Sequence, residues 1–380
     1  MAKIPILDLQ AQYQTIRDEA RRAIDEVLES QQFVLGPAVE KFEREAAAYL
    51  GGKHAVGVAS GSDALLLALM ALGIGPGDGV IVPPFTFFAT VSAITRLGAT
   101  PLFADIDPES FLLDVKQVEA LLTDGKKPVA RIQAVLPVHL FGRIAPMAEL
   151  AALAAAHSLH IVEDVAQAFG ARAGAKAAGA IGDLGCFSFF PSKNLGGAGD
   201  GGLILTDRPE LAEKLRLLRA HGESSKYRHE LVGLNSRLDS IQAALLSVKL
   251  RRIDAWCEER IRRAGRYGEL FRAAGLVGNG VRAVPAAGAG RAHVFNYYVV
   301  RVERRDELKE FLAGAGVQTE IYYPLPLHLQ PCFAYLGGRK GDFPHAERAA
   351  GEALALPIYP ELAAGQQEAV VEKIAAFYRR

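Results

Sequence analysis

From residue 54 to residue 206 the chain alternates between short, β-rich apolar runs and stretches of helical periodicity. HAVGVA, SDALLLALMAL, GVIVP, TFFATVSAITRLG and TPLFAD follow one another with little between them. Strands separated by helix-length segments do not pair as hairpins, so the expected sheet is mostly parallel with helices on both faces. The alternation continues through Ile132 to Val138, the alanine-rich run from Pro146 to His157, and Leu159 to Asp164, and it closes with CFSFF and GLILT. A chain of 380 residues, 50% of them hydrophobic, has material for one large core and a second, smaller unit. From Arg237 the pattern changes to long helical segments. A strand is expected over HVFNYYVVRV (His293 to Val302), then a helix from Arg305 to Ala313, a proline-rich loop from Tyr322 to Pro331 and a terminal helix. The fold class is therefore α/β, with a large domain over residues 1–252 and a smaller C-terminal α+β domain over residues 253–380.

Lys plus Arg and Asp plus Glu number 43 each, so bulk charge gives no pull toward nucleic acid or an anionic membrane surface. Cys186, Cys257 and Cys332 are widely spaced and form no CxxC or Cys/His pattern, which argues against a disulfide framework or a zinc site. The first residues lack the charged-then-apolar order of a secretory signal, and the longest apolar stretch, Ala64 to Gly75, is too short to span a bilayer. These features lead us to expect a soluble cytoplasmic protein that holds no metal.

Four places carry candidate chemistry. In SGSDAL (Ser60 to Leu65) small residues stand where a β-run gives way to a helical one, so backbone N–H groups and the helix dipole would converge there on a phosphate. Gly61 permits close approach, Ser62 offers a hydroxyl, and Asp63 is expected to cap the first turn; by itself the pattern is also that of an ordinary N-cap. Asp164 ends the run LHIVED, at the edge where open α/β sheets gather ligand groups, and Gln167 follows three residues later. An acid there can keep a pyridine nitrogen protonated and the amide can bond a ring hydroxyl, although a strand-end Asp also caps the next segment in many folds. FSFFPSKNLGGAGDGG (Phe187 to Gly202) places Lys193 in a loop rich enough in glycine to fold closely around a bound group. A lysine that attacks a carbonyl must first lose its proton, which a crowded site favours; a solvated loop lysine is the alternative. Ser188 could add a phosphate contact. In FTFFAT, Phe87 is our choice to stack on a flat cofactor, with Phe88 the competitor and simple core packing the alternative. Other signatures fail on spacing: GIGPGDG lacks the third glycine of a dinucleotide fingerprint, and no GxxxxGK[ST], GxSxG or HExxH occurs. His139 in PVHLFG is most simply a satisfied residue near the sheet edge.

Taken together and in this order, SGSDAL, FTFFAT, PVHLFG, VEDVAQAFGA, FSFFPSKNLGGAGDGG and GLNSRLDSIQAA closely resemble the DegT/DnrJ/StrS sugar aminotransferase family, and the likeness runs from IPILDL to YYPLPLHLQP. The resemblance implies the type I fold of aminotransferases that use pyridoxal 5′-phosphate (PLP), with residues 1–252 as the cofactor-binding domain and a homodimer with shared active sites. It also implies transfer of an amino group from glutamate, released as 2-oxoglutarate, to a nucleotide-linked keto sugar. By position in the matching motifs, Lys193 is implied as the Schiff-base lysine and general acid and base. Asp164 is implied as the ring-nitrogen partner, Gln167 as the hydroxyl partner, and Phe87 as the stacking aromatic. Gly61, Ser62 and Ser188 would hold the phosphate, with Asn235 reaching the phosphate of the neighbouring subunit.

For the substrate, the segment HGESSKYRHE resembles the family loop that approaches the sugar nucleotide from the partner, which makes Lys226, Tyr227, Arg228 and His229 candidates. Tyr323 and His328 in YYPLPLHLQP would border the sugar pocket, and that stretch looks most like members acting at sugar C3, with C4 open. Members of this family that dehydrate sugars carry His where this chain has Lys193, so the lysine favours amine transfer over the dehydratase reading. A regulatory protein on the same scaffold is the third reading, disfavoured by the intact Lys193, Asp164 and Gln167.

Overall fold

The computed structural model describes residues 3–123, 129–286 and 288–380. Seven strands form the central sheet: β1 (His54–Val58), β2 (Asp78–Val82), β3 (Thr100–Phe103), β4 (Arg131–Val135), β5 (His160–Asp164), β6 (Leu184–Ser188) and β7 (Gly202–Thr206). Their order across the sheet is β1-β7-β6-β5-β4-β2-β3. β7 pairs antiparallel with β1 and β6, and the remaining pairings are parallel. The reason lies in the connection: residues 189–201, between β6 and β7, carry no helix, so the chain turns back instead of crossing over.

Alternation along each strand sends side chains to opposite faces. Val80 and Val82 enter one core with Val56, Val162 and Cys186, while Ile81 enters the other with Val135, Ile161 and Phe187. Helix α1 (Gly61–Ala71) lies in the first of these cores with every residue from Ala64 to Leu69 buried, which is why its sequence is apolar on all sides. Helices α2 (Phe88–Arg96) and α3 (Met147–Ala156) follow β2 and β4 as crossovers.

Beyond the sheet come α4 (Ser240–Leu250) and the long α5 (Ile253–Ala273), then a three-stranded antiparallel sheet of β8 (Val281–Ala283), β9 (Tyr298–Val302) and β10 (Ala353–Leu356), and a closing helix α6 (Ala364–Tyr378). Tyr267, Phe271, Tyr298, Val300, Leu308, Leu354 and Ile374 make a third core. Ile4 joins that core and bridges Val317, whereas Ile253, Trp256 and Cys257 at the start of α5 pack with the central sheet. Among the described residues no helix is long and apolar enough to cross a membrane.

Two strand expectations need correction. Of HVFNYYVVRV only Tyr298–Val302 is strand, because the preceding residues bond the turn after β4: Val294 N–H donates to Gly142 O at 2.9 Å, and Ile144 N–H to Ala292 O at 2.9 Å. The run Ile132 to Val138 is strand only to Val135, since Pro137 offers no N–H to continue the ladder.

Candidate active site

The C-terminal ends of β5 and β6 and the start of α1 open onto one cleft of about 390 Å³, which also takes in Thr86, Phe87, Lys193 and three tyrosines, Tyr297, Tyr322 and Tyr323. Its floor begins at α1. Ser60 is the N-cap, extended at φ −161°, and its side chain accepts from Asp63 N–H at 3.1 Å. The cap is therefore Ser60 and not Asp63, whose carboxylate instead accepts from Ser236 Oγ at 2.8 Å. The first-turn N–H groups of Gly61 and Ser62 remain for a ligand. Gly61 is needed for closeness: a Cβ there would lie 2.6 Å from the Cβ of Ser188, the last residue of β6.

Asp164, the last residue of β5, is buried, and each carboxylate oxygen takes one donor: Ala166 N–H to Oδ1 at 3.1 Å and Thr90 Oγ1 to Oδ2 at 2.9 Å. Burial pushes its carboxyl up from its ordinary value, opposed by those two hydrogen bonds and by the charge of Lys193. Gln167 is also buried. Its Oε1 accepts from Phe141 N–H at 2.7 Å, which orients the amide so that Nε2 donates to Tyr323 Oη at 2.8 Å. Behind Asp164, His139 Nδ1 accepts from Ala145 N–H at 3.0 Å, so the ring proton sits on Nε2 and faces Glu163 at 2.9 Å. Glu163 also accepts from the N–H groups of Gly179, Ile181 and Gly182. Burial would raise the Glu163 carboxyl, but His139 and these backbone donors hold it below its ordinary value. His139 is thus a satisfied core residue at the C-terminal edge of the sheet.

Lys193 stands in the loop between β6 and β7, half-buried, with its N–H donating to Phe190 O at 2.9 Å. Helix α4 braces the loop from below, as Gln242 Oε1 accepts from Ala198 N–H at 2.8 Å and Lys249 Nζ donates to Gly196 O at 2.6 Å. Burial lowers the Lys249 amine to about 8. Phe87 is 54% exposed and lines the cleft, its ring 6.1 Å from that of Tyr323. Phe88 turns away to stack on Phe333 at 5.3 Å.

The cleft thus gathers Gly61, Ser62, Phe87, Asp164, Gln167, Ser188, Lys193 and Tyr323. It does not gather Asn235, which is exposed and bridges Ala220, nor Lys226, Tyr227, Arg228 and His229, which belong to an exposed hairpin of Glu223–Ser225 and Arg228–His229. His328 also lies outside the cleft lining: it is buried, 3.1 Å from Glu347 Oε1 and edge-on to Phe343. Sequence reasoning missed Thr90 as the partner of Asp164, and Tyr297 and Tyr322 in the wall. FTFFAT contains Thr90, but nothing in its spacing says which strand end its hydroxyl meets.

The sequence profile described as the DegT/DnrJ/EryC1/StrS aminotransferase family matches residues 14–375. The chain is 50% identical to a protein of Geobacillus stearothermophilus named pleiotropic regulatory protein, over 99% of each chain. It is 45% identical to the dTDP-3-amino-3,4,6-trideoxy-alpha-D-glucose transaminase of Streptomyces venezuelae, over 100% of this chain and 97% of the relative. Among solved structures, S. venezuelae DesV in complex with a ketimine intermediate matches with a TM-score of 0.93 at 44% identity, covering 100% of both chains.

Proposed function

The chain belongs to the DegT/DnrJ/EryC1/StrS aminotransferase family, and from that membership we propose that it transfers an amino group from glutamate to a nucleotide-linked keto sugar, at C3 in preference to C4, with PLP as its cofactor. The observation that carries this reading is the convergence in one cleft of a helix N-terminus, a buried strand-end carboxylate and a lysine on a glycine-rich loop. The S. venezuelae relative named for a 3-amino sugar supports C3.

The residues fit the cofactor. Gly61 lies so close to Ser188 that a Cβ there would come within 2.6 Å of the Ser188 Cβ, and the first turn of α1 with the hydroxyls of Ser62 and Ser188 lines one side of the cleft, a donor set suited to a phosphate. Asp164 keeps carboxylate lone pairs for a ring N–H, and Phe87 offers an aromatic face. When bound, PLP supplies a cationic ring that takes up the electron pair left on a substrate carbon. Asp164 holds the ring nitrogen's proton, and Gln167, its amide fixed by Phe141, has a second N–H for the ring hydroxyl. Lys193 would hold the cofactor and would move a proton at the substrate's reacting carbon, as base and then as acid. Gly61, Ser62 and Ser188 fix the phosphate end, so that the lysine meets the reacting carbon at a constant distance.

We read the active form as a cytoplasmic homodimer in which Asn235 and the hairpin at 223–229 reach the partner's cleft. The exposure of Phe87, Phe190, Tyr227 and Val232 supports a covered surface there. The large domain is taken as residues 1–252 and the small one as 253–380, with Ile4 packing on the latter.

The test is transfer of label: ¹⁵N-glutamate and a panel of 3-keto and 4-keto sugar nucleotides should give ¹⁵N in a 3-amino sugar, seen by mass spectrometry. Lys193→Ala should give none. The name of the Geobacillus relative favours a second reading, a regulator; a purified protein that stays colourless with PLP and unchanged by glutamate would support it.

A further inference from the structure

We propose that Thr90 and Thr86 are positioning residues for Asp164, forming a two-hydroxyl relay that keeps its carboxylate ionised and fixed in rotation toward the ring nitrogen. This rests on the reading of Asp164 as the ring-nitrogen partner.

The donor count carries it. Thr90 has one hydroxyl proton, and the 2.9 Å contact with Asp164 Oδ2 uses it, because a carboxylate can only accept. The 3.0 Å contact between Thr90 Oγ1 and Thr86 Oγ1 then has a single possible sense, with Thr86 donating. Thr86 spends its proton inward and shows only lone pairs to the cleft it lines. Both hydroxyls are buried, Thr90 at 0% and Thr86 at 2% exposure, so water does not compete for them. The two residues lie four apart, one before the N-cap residue Phe87 and one in the first turn of α2. One short segment therefore delivers the stacking ring and the acid's donors together.

A carboxylate buried beside apolar neighbours tends to hold a proton, and a buried donor to its charged form opposes that tendency. With Ala166 N–H on Oδ1 and Thr90 on Oδ2, the group cannot swing, and each oxygen keeps a free lone pair for a ring N–H. Without Thr90, Asp164 competes for the ring proton instead of yielding it, which weakens both the grip on the ring and its capacity to accept electrons.

The test uses the full chain loaded with PLP, comparing Thr90→Val, Thr90→Ser and Thr86→Val with Asp164→Asn as reference. The dissociation constant for PLP is read by equilibrium dialysis, and kcat and KM are read for the glutamate half-reaction. Thr90→Val should weaken PLP binding and lower kcat by roughly 10- to 100-fold, the worth of a hydrogen bond to a charged group. KM for glutamate should stay within about twofold, as expected when the substrate itself is not contacted. Thr90→Ser should restore both quantities, and Thr86→Val should cost about 2- to 10-fold. If Asp164→Asn loses binding and kcat while Thr90→Val and Thr86→Val match wild type, the relay is wrong; if Asp164→Asn itself matches wild type, the reading of Asp164 fails first. Should Thr90→Val not fold, a folded Thr86→Val with wild-type constants overturns the proposal alone.

Discussion

The residue we propose as the ring-nitrogen partner is also one the cofactor-free protein holds at a cost. Asp164 is buried and its carboxyl is pushed up, burial outweighing the hydrogen bonds from Ala166 and Thr90 and the charge of Lys193. A folded-state value above the unfolded one means that this group favours folding below the ordinary carboxylate range near ~4, and that the advantage is lost as pH rises through the folded value. Asp164→Asn removes the dependence. The relay can accommodate the amide: Oδ1 accepts from Ala166, Nδ2 donates to Thr90, and Thr90 donates to Thr86 instead of receiving. Cofactor-free Asp164→Asn should therefore melt like wild type near pH 4 and above it by about 1–3 °C at pH 8, measured by calorimetry. The same variant should lose about 100-fold or more in kcat, the scale of a removed electrostatic contact to the reacting system. Equal melting temperatures at both pH values would show that the charge on Asp164 is not carried at the expense of the fold. Such a residue trades stability for activity.

At the scale of elements, the proposed phosphate seat depends on how α1 meets β6. Gly61→Ala brings a Cβ to 2.6 Å from Ser188 Cβ, and strand and helix have to part to relieve it. Because α1 is otherwise anchored in the core, the expected outcome is a folded protein whose PLP dissociation constant rises roughly 10- to 100-fold. Ser62→Ala, which leaves the backbone in place, should cost about 1 kcal/mol in the same titration. Equal losses from the two would mean that hydroxyl contact, not closeness, makes the seat. Elements were readable from the sequence wherever one period held throughout: β5, β7, α1 and α3 follow their apolar patterns to within a residue or two at either end. Reading failed where backbone partners come from distant chain, as at His293 to Tyr297, whose run suits a strand but whose Val294 and Tyr297 N–H groups are taken by Gly142 and Phe141 in the turn after β4. Site residues divide in the same way. Lys193 and Asp164 stand out because loop composition and strand end are local signals. Thr90, Gln242 and Lys249 act through contacts with segments remote in sequence, and Ser60 takes the capping role expected of Asp63 because Ser236 holds that carboxylate.

For the whole molecule, the position of Asn235 asks for a second copy. It is exposed and away from the cleft of its own chain, yet its neighbour Ser236 is buried, donates to Asp63 in the first turn of α1 and accepts from Ala59 N–H at 3.1 Å. The segment is thus tied to the first turn of α1, beside the proposed phosphate seat, while presenting Asn235 outward. If Asn235 serves the partner's site, Lys193→Ala and Asn235→Ala chains fail for different reasons and can rescue each other. In a mixed dimer the site built on the Asn235→Ala chain has its own Lys193 and receives an intact Asn235 from the Lys193→Ala subunit. The other site lacks both. Mixing the two inactive variants under conditions of subunit exchange should restore about a quarter of wild-type activity, since half the dimers are mixed and each has one sound site of two. Light scattering or ultracentrifugation should report a dimer throughout. Failure to recover activity despite proven exchange would place Asn235 in its own subunit's chemistry, and a monomer with full activity would remove the shared site altogether.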